Sequence, residues 1–194
     1  MRITDDRYNR DWQRFDLALR LISHEARTCT IRIWTGLSDD RIRKLYKSYL
    51  AHSGGVRVSR HRGKPPTQVN FFQRNREIRG QAAVLGGLYS SLGLLGLHRT
   101  QAEAPPLEWS ELFCDAYETY LASEPLRKIS FEHAAHLVWL LDKGTELELR
   151  ECPGCDSLMI HDPLRVRRSV CTFCEIDRPL GPRSEFALGG QLLR

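Results

Sequence analysis

Four cysteines carry the most specific chemistry in this chain. Cys152-Pro153-Gly154-Cys155 and Cys171-Thr172-Phe173-Cys174 are two Cys-x-x-Cys pairs separated by 15 residues. Two cysteines three apart can face one metal if the chain turns tightly between them, and two such pairs make a four-thiolate site. Thiolate is a soft ligand, and four thiolates suit tetrahedral Zn2+. Gly154 is expected to permit the first turn, because glycine carries no Cβ penalty at positive φ. The 15 intervening residues leave room for a short hairpin that returns the second pair to the first. Cys152, Cys155, Cys171 and Cys174 are thus the expected ligands of one structural Zn2+ per chain. A catalytic zinc would keep an open position beside three ligands, and four thiolates fill the shell. Disulfides and a thiol-redox pair are the competing readings. The polar N-terminus, Met1 to Asp6, is not a secretory signal, which points to a reducing, cytoplasmic compartment and against disulfides. The doubling of the motif argues against redox. His161, between the pairs, is a weaker ligand than it is a polar residue at a hairpin end.

The elements that must hold this site are mostly helical in pattern. Tyr8, Trp12, Phe15, Leu19, Ile22 and Ala26 recur at alternating spacings of four and three, one apolar face of a first helix, open to core packing or to a second subunit. A short helix is expected to end at Gly36. Ser38 then caps a second helix with Asp39 and Asp40 in its first turn and Ile42, Leu45 and Tyr49 toward the core. Such a pair has the form of a helix-turn-helix, whose second helix enters the major groove. Arg41, Arg43, Lys44 and Lys47 would then be its DNA contacts. A plain helical hairpin with a solvated basic face is the alternative, and Arg32 stands where a small residue is usual.

The net charge is +5, from 29 basic and 24 acidic residues, which favours an acidic partner without requiring one. Between Ala51 and Arg79 seven basic residues meet one acid, so the positive field is concentrated there. The loop opened by Ser53-Gly54-Gly55 and closed by Pro65-Pro66 is expected to carry Arg57, Arg60, Arg62 and Lys64 as an arm for phosphate contact, or else as a solvated surface. Asn70 to Leu97 reads as a glycine-containing helix and its exit loop. Its uncharged run, Gly80 to His98, is long enough to raise a membrane span, but five glycines, Gln81 and two serines oppose that. Pro105-Pro106 introduces a helix at about Leu107 whose buried stripe is Trp109, Leu112, Phe113, Ala116, Tyr117 and Tyr120. Ser130 caps another that ends at Lys143-Gly144. His133 and His136 share a face of it, a weak metal signal. Cys29 and Cys114 read as small core residues.

After Gly144 the apolar period drops to two, over Thr145, Leu147 and Leu149, which reads as a short strand, and Ser157 to Ile160 reads as a second. These strands flank the first cysteine pair. Arg165, Arg167 and Arg168 precede the second pair as further phosphate contacts. The expected architecture is mostly α. A multi-helix domain over residues 1–144, with the helix-turn-helix-like pair, binds DNA and a partner. A four-cysteine, zinc-ribbon-like module spans 145–177, and 178–194 is a flexible tail. So small a module buries too little to fold alone, and metal binding must supply part of its stability.

Five features in this order resemble the FlhC family, the zinc-binding subunit of the bacterial flagellar master transcription activator. They are the stretch TGLSDDRIRKLYKSYL, the GKPP loop followed by Phe71-Phe72, the AYETYL helix, the LVWLLDKG helix end and the two cysteine pairs. The resemblance implies a mostly helical protein that joins a smaller helical subunit, FlhD, in a hetero-oligomer. It also implies promoter DNA binding and activation of flagellar genes with RNA polymerase, and it places the family's metal ligands on Cys152, Cys155, Cys171 and Cys174. Arg57 to Lys64 and the chain after Cys174 have no counterpart, so DNA contacts there rest on charge. The alternative is a zinc-stabilised RNA-binding or ribosome-associated protein. No His-Glu-x-x-His motif, Gly-rich phosphate loop or open zinc position supports an enzyme.

Overall fold

Helix ends fall where the sequence places caps, and the connections between them set the architecture. The computed structural model describes residues 5–52, 58–61, 63–97, 103–165 and 170–177. In chain order the described elements are α1 (Asp5–Ser23), α2 (Thr28–Thr35), α3 (Asp39–His52), a 3-10 turn (Val69–Gln73), α4 (Arg76–Ser91), α5 (Leu107–Ser123) and α6 (Phe131–Lys143). An antiparallel hairpin of β1 (Glu148–Glu151) and β2 (Leu158–His161) follows, then α7 (Thr172–Asp177). The chain is mostly helical, with one two-stranded sheet among the described residues. Residues 178–194, read from sequence as a tail, lie outside the described residues. No helix of the described residues is long and apolar enough to cross a membrane.

Gly36 ends α2 at φ 68°, and Gly144 ends α6 at φ 65°, each donating its N–H to the last turn. A residue with a Cβ is strained at these angles, so glycine is what the two turns require. Ser130 caps α6 by accepting the His133 N–H. The segment from Asn70 is not one continuous helix. The Asn75 side chain accepts the Ile78 N–H and starts α4 afresh after the 3-10 turn, because Asn offers the backbone a cap in place of a helical bond.

The core is aromatic where α1, α2, α5 and α6 meet. Trp34 stands edge-on to Phe113 and Trp109, with ring centroids 5.0 and 5.5 Å away, and Trp109 stacks on Trp139 at 5.3 Å. Edge and offset contacts of this kind add to what burial alone contributes. Three buried polar side chains tie the helices together through hydrogen bonds, as a low-dielectric interior favours. Gln81 of α4 accepts from the Tyr120 hydroxyl (2.7 Å) and the Lys128 N–H (2.8 Å) and donates to the Leu126 carbonyl (3.1 Å), fixing the α5–α6 connection. Asp142 accepts from the N–H groups of Gly96 and Leu97, tying down the chain after α4. Glu132 accepts the Arg27 N–H (2.6 Å) and the Thr30 hydroxyl (2.9 Å), which joins α6 to the start of α2.

Two expected stripes differ from those observed. On α5, Leu112 is exposed, whereas Trp109, Phe113, Ala116, Tyr117 and Tyr120 are buried as expected. On α1 the face buried in the core is Leu17, Ala18, Leu21 and Ile22, while Tyr8 is 72% and Trp12 67% exposed. At 100° per residue Leu17, Ala18 and Leu21 lie on a different side of the helix from Tyr8 and Trp12, whereas Ile22 continues the Tyr8 stripe. The helix is therefore apolar on two faces, and the expected stripe packs only toward its C-terminal end, at Ile22 and Ala26 and, half-buried, at Phe15.

Arg20 of α1 gathers three carboxylates of α5. It bonds Glu111 (2.8 Å), Glu118 (2.7 Å) and Asp115, and His24 lies 2.7 Å from Glu118. The Arg20 guanidinium holds the Glu118 carboxyl down to about 2, and burial lowers the His24 pKa below its usual 6.5. Both groups bind protons less readily folded than unfolded, so stability rises with pH. The His24 contribution is lost as pH falls below about 6.5, and the Glu118 contribution as pH falls from about 4.5 toward about 2. Thermal unfolding midpoints should fall through both windows. Glu118→Gln should flatten, without abolishing, the slope below pH ~4.5; an unaltered slope would remove this cluster from the acid response.

Candidate metal centre

The four cysteines come together because the first pair forms the tip of the hairpin and the second begins α7. Glu151 pairs with Leu158, and the chain between them turns through Cys152 to Ser157. The Cys152 N–H donates to the Ser157 carbonyl (2.8 Å), and the Asp156 N–H donates back to the Cys152 carbonyl (2.9 Å). The hairpin thus straddles the first pair; it does not lie between the pairs. The left-handed residue in this turn is Asp156, at φ 59°, and not Gly154. Gly154 serves a different need. A Cβ there would sit 3.2 Å from Cys174 Sγ, so a side chain would crowd the sulfur cluster.

One ligand atom from each of Cys152, Cys155, Cys171 and Cys174 lies within 4.8 Å of all the others, a set that can hold a metal ion. Cys155 and Cys171 Sγ are 3.4 Å apart, and Cys152 and Cys174 Sγ 3.9 Å. All four are free thiols. Backbone N–H groups point at the sulfurs: those of Cys171 (3.2 Å) and Gly154 (3.4 Å) at Cys152 Sγ, and that of Cys174 (3.4 Å) at Cys171 Sγ. Such donors favour thiolate over thiol. The Cys171 N–H, helped by Gly154, brings the Cys152 thiol down to about 6. The Ser157 hydroxyl lowers Cys155, and hydrogen bonds with Cys155 and Cys171 push Cys174 up to about 12. Ser157 and the N–H donors are parts of the site that motif spacing alone did not mark.

The other histidine and cysteine candidates go elsewhere. His161 faces Glu148 at 3.8 Å and is not part of the cluster. His133 takes the Ser130 hydroxyl (2.8 Å) and stacks on Phe71 with centroids 3.9 Å apart. Cys114 is buried in α5, where burial raises its thiol pKa and keeps it protonated. Cys29 is half-buried, its Sγ directed at the Gly63 carbonyl.

The module is docked on α4. Ile160 of β2 joins the main core, while Cys152, Met159 and Cys171 form a smaller buried cluster with Val170 and Cys174. Gly86 of α4 makes the closest approach: a Cβ there would be 2.8 Å from Leu149 Cδ1 and 3.2 Å from Leu141 Cδ1. Gly87 faces Leu158 and Gly80 faces Thr172. Arg79 of α4 pairs with Glu175 of α7. A cavity of about 300 Å3 remains between α4 and the module, with Asp162 and Arg165 on its lining.

The candidate DNA contacts divide. Arg41, Arg43, Lys44 and Lys47 are all exposed on α3. Arg43 pairs with Asp40 (2.9 Å), and Arg41 lies over the Phe15 ring at 5.7 Å. Arg60 reaches across the start of α2 to α3, within 3.3 Å of the Thr28 hydroxyl and 5.4 Å over the Tyr46 ring. Lys64 is exposed in the same connection. Arg165 is exposed too, but in the module beside the cavity, not with the α3 set. Arg57, Arg62, Arg167 and Arg168 lie outside the described residues.

No family model matches the chain, and no curated protein matches it.

Two outcomes follow from the site. Titration with Co2+ under reducing conditions should give sulfur-to-metal charge-transfer absorption that saturates at one ion per chain; no saturable band would contradict a metal centre. Cys155→Ser removes a ligand and should weaken binding by more than the ~10–100-fold that outer-sphere changes cost. In the fold, Gly86→Val should destabilise by about 1–3 kcal/mol through overpacking against Leu149 and Leu141, measured by denaturant unfolding of the metal-loaded protein.

Proposed function

We propose that this chain is a DNA-binding subunit of a cytoplasmic transcription activator of the FlhC kind, with no catalytic role. Zn2+ held by Cys152, Cys155, Cys171 and Cys174 staples its C-terminal module. A tetrahedron with Zn–S bonds of ~2.3 Å has S···S edges of ~3.8 Å. The observed separations of 3.4 and 3.9 Å bracket that value. An all-sulfur donor set favours Zn2+ over the oxygen-loving divalent cations.

The observation that carries the DNA reading is the α2–α3 pair. Two helices are joined by Gly36, Leu37 and Ser38, with Gly36 left-handed and Leu37 buried. The second helix turns Arg41, Arg43, Lys44 and Lys47 outward while Ile42 and Tyr46 are buried. This arrangement supports the reading of a helix-turn-helix, in which the second helix can enter the major groove. Asp39 and Asp40 stand at the leading end of α3, where they would repel phosphate, but Arg32 (3.6 Å) and Arg43 (2.9 Å) face them. Lys44 and Lys47, one turn further on, are the positions for phosphate contact, and Arg60, over the Tyr46 ring of α3, adds a further cation. In this reading the chain joins a FlhD-like helical subunit, and the complex recruits RNA polymerase to flagellar promoters.

Fluorescence anisotropy with a flagellar promoter duplex and a scrambled duplex, with and without the FlhD-like subunit, tests the reading. Site preference should reach ~10³ or more and sharpen with the partner. Lys44→Ala should weaken binding to both duplexes and reduce the salt slope by about 1. Equal binding to both duplexes, or tighter binding to single-stranded RNA, would overturn it in favour of an RNA-binding protein.

A further inference from the structure

Residues 8 to 14 of α1 are all exposed. Yet this stretch carries Tyr8 and Trp12, 72% and 67% exposed, in line with half-buried Phe15 and Leu19. The spacing of four, three and four is that of the a and d positions of a coiled-coil seam. The core takes a different face of the same helix, through Leu17, Ala18 and Leu21, and covers only the inner end of the seam, at Ile22. The seam is thus a second apolar face with nothing of the described chain over its outer half.

The charges beside the seam say what fits it. With Tyr8 and Phe15 at d and Trp12 and Leu19 at a, Asp11 falls at g and Asp16 at e, the positions that flank the seam. Arg10 and Arg14 fall at f and c, on the far side. Both aspartates are exposed. Asp11 has Arg14 at 3.6 Å, an exposed pair across one helical turn that a partner's cation can replace. A second copy of this chain would set aspartate against aspartate. In a parallel pair Asp11 of one helix meets Asp16 of the other, and in an antiparallel pair each meets its own counterpart. Like charges at these positions select against that pairing.

We propose that the Tyr8–Trp12–Phe15 seam of α1 docks an amphipathic helix of a different chain, one whose apolar stripe is flanked by Lys or Arg. The proposal rests on the reading of this protein as one subunit of a hetero-oligomer and adds to it the surface and the partner's chemistry. Aromatic side chains in line, ringed by charge, are the composition of an interface hot spot.

Trp12 is also the reporter. The chain has four tryptophans, and Trp34, Trp109 and Trp139 are buried. Acrylamide should therefore quench mainly Trp12. The full-length protein is titrated with two synthetic helical peptides that share Leu and Ile at a and d; one carries Lys at e and g, the other Glu. The Lys peptide should shield Trp12 from acrylamide and bind about 3- to 10-fold tighter than the Glu peptide at low salt, the margin narrowing as salt rises. Trp12→Ala should lower Lys-peptide affinity by about 30-fold, read by anisotropy of a labelled peptide. Its thermal midpoint should stay unchanged, because Trp12 supports nothing inside the chain. Failure of both peptides to shield Trp12, or a preference for the Glu peptide, would overturn the proposal. So would shielding that grows with the concentration of this chain alone. These readings need no DNA, so their failure is separate from failure of promoter binding.

Discussion

Everything C-terminal to α6 depends on how closely a polypeptide can approach α4. That helix has its buried side chains, Ile78, Ala82, Leu85 and Tyr89, against the helical core. Gly80, Gly86 and Gly87 lie against the module instead. Without Cβ atoms at these points, Leu149, Leu158, Ile160 and Thr172 come close to the helix itself. Glycine within a helix costs about 1 kcal/mol relative to alanine, so three of them in one helix need a packing reason. The approach of the hairpin and α7 is that reason. It also explains how most of a run with no charged side chain fits in a helix too short to cross a membrane: α4 packs against the helical core on one side and the module on another.

Docking and metal binding address the same deficit. A hairpin of two four-residue strands and a six-residue helix has little apolar surface of its own to bury. Ile160 and Leu149 draw on the main core, and Arg79 anchors α7 from outside. What remains is the cluster of four sulfurs with backbone N–H groups aimed at it, an arrangement that favours thiolates and hence a cation. In the proposed account Zn2+ supplies that cation, and the stapled module and the basic α2–α3 surface sit on one helical framework.

Sequence alone made the ends of elements legible where one residue type is physically required. Gly36, Ser130 and Gly144 each stand at the expected boundary because left-handed φ or a capping oxygen has few substitutes. The four-cysteine cluster was legible for the same reason, since spacing restricts which sulfurs can meet. Less was legible where two solutions share one pattern. The regular stripe from Tyr8 to Ala26 has the period of a buried face, but periodicity does not say how much of it is covered: Ile22 and Ala26 are buried together with Leu17, Ala18 and Leu21, while Tyr8 and Trp12 are exposed. Asn70 to Leu97 looked continuous because nothing in the apolar pattern marks Asn75 as a cap. Gly154 looked like a turn residue, whereas Asp156 makes the turn and Gly154 clears space for Cys174. That distinction depends on a sulfur 20 residues away in sequence, which local reading cannot supply.

The central claim is that a metal on the four cysteines holds the module against α4. Hydrogen exchange on the full-length protein, metal-loaded and after chelation under reducing conditions, tests it most directly. The account predicts that chelation strips protection from residues 148–161 and 170–177 and also raises exchange in α4, from Arg76 to Ser91, while α5 and α6 stay protected. Identical protection of the module and of α4 in the two states would contradict it.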